Sequence, residues 1–187
     1  MQISLKTDFA DVFQRLRGIE AEIGDKVLAR TLNRIANTTR VEAIRKITDE
    51  FNIARPKVDE RVKVIGARPV AGKLSVTVYV AQRGRKRAIN IIAFRSGRVV
   101  KSAGGGVGVK VLRRGSRKII PGTFIANQGR TVFRRVGKER LPIKPVSAID
   151  VPQMFNTRRI KDLLIDNMKA NFRKEVERQL AFATRRQ

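Results

Sequence analysis

The chain has 187 residues, and 42% of them are hydrophobic, which is enough for a folded core and argues against wholesale disorder. It contains no cysteine and no histidine, so disulfide bonds, thiolate metal sites and the commonest general base are excluded. The 42 Lys and Arg residues against 16 Asp and Glu residues give a net charge of +26, which indicates a polyanionic neighbour or acidic protein surfaces.

The first sixty residues have the pattern of helices with an ordinary charged surface. Asp8 can cap a short helix that ends at Gly18. A longer helix is predicted from about Asp25 to about Phe51, because apolar residues recur at intervals of three and four. Pro56 then suits the first turn of a short helix that reaches about Val62.

The middle of the chain has the pattern of strands joined by basic turns. Residues 74–80 alternate between apolar and polar side chains, and further strands are predicted at 88–94 and 107–111. We expect residues 74–143 to form one antiparallel sheet that helices cover on one face. The Gly-rich stretch at 95–108 is interpreted as a flexible connection, because no Lys-Ser/Thr pair follows it at the spacing of a phosphate-binding loop.

The segment 119–154 predicts a compact hairpin. A turn is expected at Pro121-Gly122, and the short runs 124–126 and 131–133 are separated by Asn127-Gln128-Gly129. Leu141-Pro142-Ile143 closes the unit, and we expect Pro145 and Pro152 to keep the following segment extended. A long helix is then predicted from Asn156 or Thr157 nearly to the end, because apolar residues recur every four positions.

These elements predict an α+β fold with N-terminal helices, a central antiparallel β-sheet with long basic loops, and a long C-terminal helix. We expect a single domain over residues 1–187, helical at 1–65, β-rich and basic at 70–145, and closed by a helix at 156–184. No run approaches the ~18 apolar residues of a membrane span. Asp8 and Asp11 interrupt any signal peptide, so no membrane partner is expected.

The positive charge is concentrated in the middle of the chain. Residues 83–144 contain 18 basic residues and one acidic residue, Glu139, which gives a net charge of +17. These cations are interpreted either as a solvated surface or as contacts to a polyanion or an acidic partner. The candidate partner-facing residues are Arg83, Arg85, Lys86, Arg87, Arg113, Arg114, Arg117, Lys118, Arg134, Arg135, Lys138 and Arg140.

Catalytic patterns are absent from the sequence. The adjacent acids Asp49-Glu50 and Asp59-Glu60 lie near Arg or Lys, as surface ion pairs do, and Glu139 is interpreted as a local counterion to Arg135 or Arg140. No serine lies in a nucleophile elbow, and the strands offer no converging acids for a metal-dependent nuclease. We therefore expect no enzyme activity, no cofactor and no bound metal.

The runs PGTFIA, GRTVFRRVGKERLPI and VPQMF resemble the phage minor tail protein Z family, also called tail completion protein Z of lambda-like phages. The resemblance extends back through residues 28–36 and 55–62, so it covers most of the chain in the family's order. It implies a virion protein, made in the host cytoplasm, that completes the tail at its head-proximal end. It also implies a role in head–tail joining and in positioning the DNA end for ejection, with no catalytic residues to carry over.

The resemblance further implies a homo-oligomeric ring about the tail axis. A hexamer would match the sixfold symmetry of such tails. The implied neighbours are the tail terminator, the tail tube, the head–tail connector proteins and DNA in the tail channel. The alternatives are a non-specific nucleic-acid-binding protein or another neck component, such as a tail terminator. One Tyr and no Trp, with basic residues on strands and turns, favour the assembly protein over the plain nucleic-acid binder.

Overall fold

The computed structural model describes residues 2–6, 21–68, 74–81, 89–94, 100–101 and 105–185. Its elements are β1 (Gln2–Lys6), α1 (Ala21–Glu50), α2 (Arg55–Asp59), β2 (Val62–Ile65), β3 (Ser75–Val80), a 3-10 helix (Ile91–Ala93), β4 (Val100–Lys101), β5 (Val107–Val109), β6 (Lys118–Ile120), β7 (Thr123–Ala126), β8 (Thr131–Arg135), β9 (Ile143–Pro145), α3 (Val151–Phe155) and α4 (Arg158–Thr184). The predicted α+β class is confirmed, with helix near the N-terminus, small antiparallel sheets and a long C-terminal helix. The predicted helix at 8–18 and the basic turn at 83–87 lie outside the described residues.

The described contacts fall into two compact units. Unit 1 comprises Met1–Ala43, Val62–Ala81 and Asn156–Gln187, and unit 2 comprises Ile44–Arg61 and Gln82–Phe155. Helix α1 is continuous through the boundary between residues 43 and 44. The single domain expected from the sequence stays a prediction.

Unit 1 combines a three-stranded antiparallel sheet with the long helices. The strand order is β1-β3-β2, and β3 buries Val76, Val78 and Val80 on one side while its other side chains stay partly exposed. This confirms the period-two reading of residues 74–80. Helix α4 buries one residue at each fourth position on a single face, as predicted: Ile160, Leu164, Met168, Phe172 and Val176.

The partners of β3 differ from those expected. β3 pairs with β1 and β2, neither of which was predicted as a strand, rather than with the strands that follow it in the chain. The N-terminal segment, Gln2-Ile3-Ser4-Leu5-Lys6, is long enough to form an edge strand, and it lies antiparallel with Ile3 opposite Val78. The predicted single sheet over residues 74–143 is therefore wrong, because the strands that the structure describes form three three-stranded sheets.

Unit 2 contains the other two sheets, with strand orders β4-β5-β6 and β7-β8-β9. Its core cluster consists of Ile91, Ile92, Val107, Val109 and Val132. The buried hydroxyl of Thr123 joins the two sheets, because it donates to the carbonyl oxygen of Ile120 (2.6 Å) and accepts from the backbone N–H of Val107 (3.0 Å). A buried polar side chain is thereby fully hydrogen-bonded at the point where the chain passes from one sheet to the other.

The strand predicted at 88–94 is wrong, since Ile91–Ala93 form a 3-10 helix. The cause is Asn90, whose side-chain oxygen accepts from the N–H of Ile92 (3.1 Å) and so caps the turn. The same amide exchanges two hydrogen bonds with the backbone of Val132, both of 3.0 Å. Apolar residues 91–94 are thus buried by the core without belonging to a strand.

The extended segment expected around Pro152 is also wrong. Val151–Phe155 form helix α3, with Pro152 in its first turn, where a missing N–H is tolerated. Asp150 caps this helix, because its carboxylate accepts from the N–H of Val151 (2.8 Å). Its own N–H donates to the side chain of Gln153 (3.0 Å) in a reciprocal arrangement.

Candidate nucleic-acid interface

The described candidate residues are all in unit 2, and all of them are exposed. They form three groups. The first is the turn before β6 and the first residue of that strand, and it contains Arg113, Arg114, Arg117 and Lys118. The second is Arg134 and Arg135 at the end of β8, and the third is Lys138 and Arg140 in the loop 136–140. The remaining candidates, Arg83, Arg85, Lys86 and Arg87, lie outside the described residues.

The turn that contains Arg113 is fixed to the end of helix α1. The last carbonyl groups of a helix have no partner within the helix. Here the backbone N–H of Arg113 donates to the carbonyl oxygen of Glu50 (2.9 Å), and its Nε donates to that of Thr48 (2.6 Å). Its positive charge also lies at the favourable end of the helix dipole. Arg113 therefore has a structural role that the sequence pattern did not predict.

Asn52 completes this anchor. Its backbone N–H donates to the carbonyl oxygen of Val111 (2.8 Å), and its buried side chain donates to that of Lys110 (3.0 Å). The turn after β5 is consequently held at several points, and Arg114 projects from a rigid base. Among the described residues, neither Arg114 nor Lys118 has a carboxylate partner.

Arg134 and Arg135 lie on opposite faces of their sheet, because successive strand residues alternate. Arg134 is on the side of Val132, which faces the core, and it becomes exposed at the end of the strand. The β8–β9 register places Lys144 directly opposite Arg134. Like charges directly opposite each other are destabilising, and no carboxylate among the described residues offsets this pair. The pair is therefore a ready site for an anion from outside the chain.

Lys144 is the functional candidate that sequence reasoning missed. The observation that identifies it is the β8–β9 register, which places it opposite Arg134. That register can be assigned only when the lengths of β8, β9 and their loop are known.

Arg135 is held over the other face. Its guanidinium lies 5.4 Å from the centre of the Phe124 ring, and its Nη1 donates to the backbone carbonyl of Glu139 at 3.4 Å. Glu139 was predicted as a counterion, yet it contacts Arg135 through its backbone carbonyl oxygen. The loop that carries Lys138 and Arg140 is closed by a bond from the N–H of Val136 to the carbonyl oxygen of Pro142 (3.1 Å).

Other kinds of site are not formed by the part of the chain that the structure describes. A cleft of about 340 Å³ in unit 1 lies between α1 and α4, but its half-buried acid Glu175 already pairs with Arg34 (3.3 Å) and Arg178 (2.8 Å). No group of three acids could hold a metal ion within the described ranges. Within the same ranges, no helix has the length and apolar content to cross a membrane.

Comparison with protein families decides the wider assignment. A family model for prophage minor tail protein Z matches residues 9–186, nearly the whole chain. The chain belongs to the prophage minor tail protein Z family. This confirms the resemblance seen in the residues, and it makes the chain a bacteriophage minor tail protein and hence a component of the virion. Searches against curated proteins and against solved structures gave no match.

Proposed function

We propose that this minor tail protein Z completes the tail at its head-proximal end, takes part in head–tail joining and holds the end of the DNA in the tail channel. The proposed neighbours are the tail terminator, tail tube and head–tail connector proteins, with several copies arranged as a ring. The role is structural and non-enzymatic, and it is performed in the virion after assembly in the host cytoplasm.

The observation that carries this proposal is the Arg134–Lys144 pair. Two cations face each other across neighbouring strands, in a region where residues 83–144 contain a single acid. A phosphate between them would offset their repulsion, and it would need no base-reading groups. Arg114 on the anchored turn and Lys118 on the edge strand offer further cations for contact with DNA phosphates.

The test is a particle built with a fourfold serine variant, in which Arg114, Lys118, Arg134 and Lys144 are replaced. The matched control replaces four exposed cations of unit 1, Arg30, Lys63, Arg159 and Lys169, and so removes the same charge. Electron microscopy counts joined particles, and infectivity per joined particle measures DNA delivery.

We expect the fourfold variant to join heads to tails normally and to deliver DNA poorly, because its fold is intact and only its DNA contacts are lost. The control variant should join heads to tails normally and deliver DNA normally. Failure of the fourfold variant to join would assign these cations to protein contacts. Unchanged joining and delivery would leave them as a solvated surface, and the DNA-holding role would be rejected.

A further inference from the structure

The outer face of the sheet β7–β8–β9 is mostly apolar. The register places Phe124, Phe133 and Pro145 in one row across the three strands, with Arg135 opposite Ile143 in the next row. None of these side chains is buried, whereas the opposite face of the same sheet buries Val132 completely. An antiparallel sheet with one face on the core normally presents polar residues on the other. This sheet presents mostly apolar ones there, with Thr131 and Arg135 as the polar members of the face.

Further apolar side chains lie in the loop that joins β8 to β9, next to this face. The rings of Phe124 and Phe133 are 6.2 Å apart at an interplanar angle of 29°. Two aliphatic side chains of the adjacent loop are largely exposed, Val136 at 52% and Leu141 at 66%. Aromatic and aliphatic groups grouped in this way and rimmed by charged residues are typical of interaction surfaces, because their exposure to water is unfavourable.

We propose that this face, with Val136 and Leu141, is a docking surface for a different protein, one whose contact surface combines apolar side chains with carboxylates. The rim carries Arg135, Lys138 and Arg140 against the single acid Glu139, so acidic groups on the partner would complement it. Buried aromatic rings with arginine beside them are also the residues that dominate the binding energy of protein interfaces.

Two other occupants fit the face less well. A second copy of the chain on the same face would bring these cations against one another. Single-stranded nucleic acid would need open ring faces for its bases, and the guanidinium of Arg135 already covers Phe124. Val136 and Leu141 have no ring for stacking and no donor for phosphate. The surface is distinct from the Arg134–Lys144 pair, which projects on the other side of the sheet.

The first experiment identifies the neighbour directly. The photoactivatable residue p-benzoylphenylalanine replaces Val136 in assembled particles, and Val41, which is exposed to a similar degree (49%), serves as the control position in unit 1. Irradiation should join position 136 to another virion protein, at a peptide containing Asp or Glu beside apolar residues. Cross-links from position 136 to DNA, to a second copy of the chain, or to nothing would overturn the proposal.

The second experiment measures the contribution of the apolar side chains. V136D/L141D is compared with V41D/I65D, a pair of similar exposure in unit 1. Both should fold as the parent does, by circular dichroism and melting temperature. We expect V136D/L141D to be incorporated into particles at least about tenfold less than the control, because the new acids repel an acidic partner and remove apolar contact. Equal incorporation of the two variants contradicts the proposal.

Discussion

At the scale of single residues, Asp150 serves two parts of unit 2 at once. Its carboxylate forms an ion pair with Arg61, which follows helix α2, and it caps helix α3 through the N–H of Val151. Both side chains of the pair are largely enclosed, with 8% of Asp150 and 16% of Arg61 exposed. If either side chain is removed, the remaining charge is enclosed without water or a partner, so the free energy of unfolding should fall markedly.

We therefore expect Asp150→Ala to lower the free energy of unfolding by about 3–5 kcal/mol, from the unpaired charge of Arg61 and the lost cap. Asp49→Ala is the control, because Asp49 and Arg45 form an exposed pair at 3.7 Å on helix α1 and should contribute at most about 1 kcal/mol. Urea denaturation of both variants measures the difference. Similar losses in the two variants would show that the Arg61–Asp150 pair is solvated.

The basic residues show how far the candidate site could be predicted from sequence. Composition places the excess positive charge at residues 83–144, and the eight described candidates are exposed there. It could not separate Arg134 from Arg135, because neighbours in sequence lie on opposite faces only if they belong to a strand. It could not identify Arg113 as a cap either, because the carbonyl groups of residues 48 and 50 meet it only through long-range folding.

At the scale of elements, the two long helices carry most of the buried apolar side chains of unit 1. Helix α4 begins after Thr157, which is one of the two residues predicted as its N-cap. The Thr157 side chain nevertheless makes no capping hydrogen bond. Packing of the apolar face, rather than the cap, is therefore the main support of this helix. Phe172 is at the centre of that face and is 1% exposed, while Phe182 near the end of the same helix is 47% exposed.

These two phenylalanines provide a matched test of the helix. Phe172→Ala should lower the free energy of unfolding by about 3–5 kcal/mol, because it removes a fully enclosed ring and leaves a cavity. Phe182→Ala should lower it by about 1 kcal/mol or less, because much of that ring already contacts water. Chemical denaturation of each purified variant gives the two values. If the order is reversed, the assigned buried face of α4 is wrong.

The two long helices were predictable because apolar residues recur every three or four positions over about thirty residues. One position that departs from this local pattern therefore does not change the assignment. The described helix α1, Ala21–Glu50, includes the predicted start at about Asp25 and ends one residue before the predicted Phe51. Strands were not predictable to the same degree. Alternation in residues 75–80 shows that a strand exists, but its partners β1 and β2 are set by contacts across more than ten residues of chain. At 91–93 the capping side chain of Asn90 overrides an apolar run that favours a strand.

At the scale of the whole chain, the charge is shared unequally between the two units. Unit 2 has 23 basic and 6 acidic residues, which gives +17, and unit 1 has 19 and 10, which gives +9. The acids of unit 1 include Glu175, which pairs with Arg34 and Arg178. Five of the six acids of unit 2 lie at residues 49–60 and 150, and Glu139 alone lies within the basic stretch 83–144. Unit 2 is therefore the part of the molecule whose charge most favours an external anion.

The salt dependence of DNA binding by the purified protein tests this preference for an anion without a phage. The affinity of the purified protein for duplex DNA should fall steeply with salt, because each phosphate contact releases counterions, and it should be independent of base sequence. Each contact contributes about 0.9 to the slope of log affinity against log salt concentration. Loss of Arg114, Lys118, Arg134 and Lys144 should therefore reduce that slope by up to about 3–4. The unit 1 control with the same net charge should reduce it by about 1 or less. Equal reductions would mean that DNA responds only to total charge, and a clear base preference would contradict a backbone contact altogether.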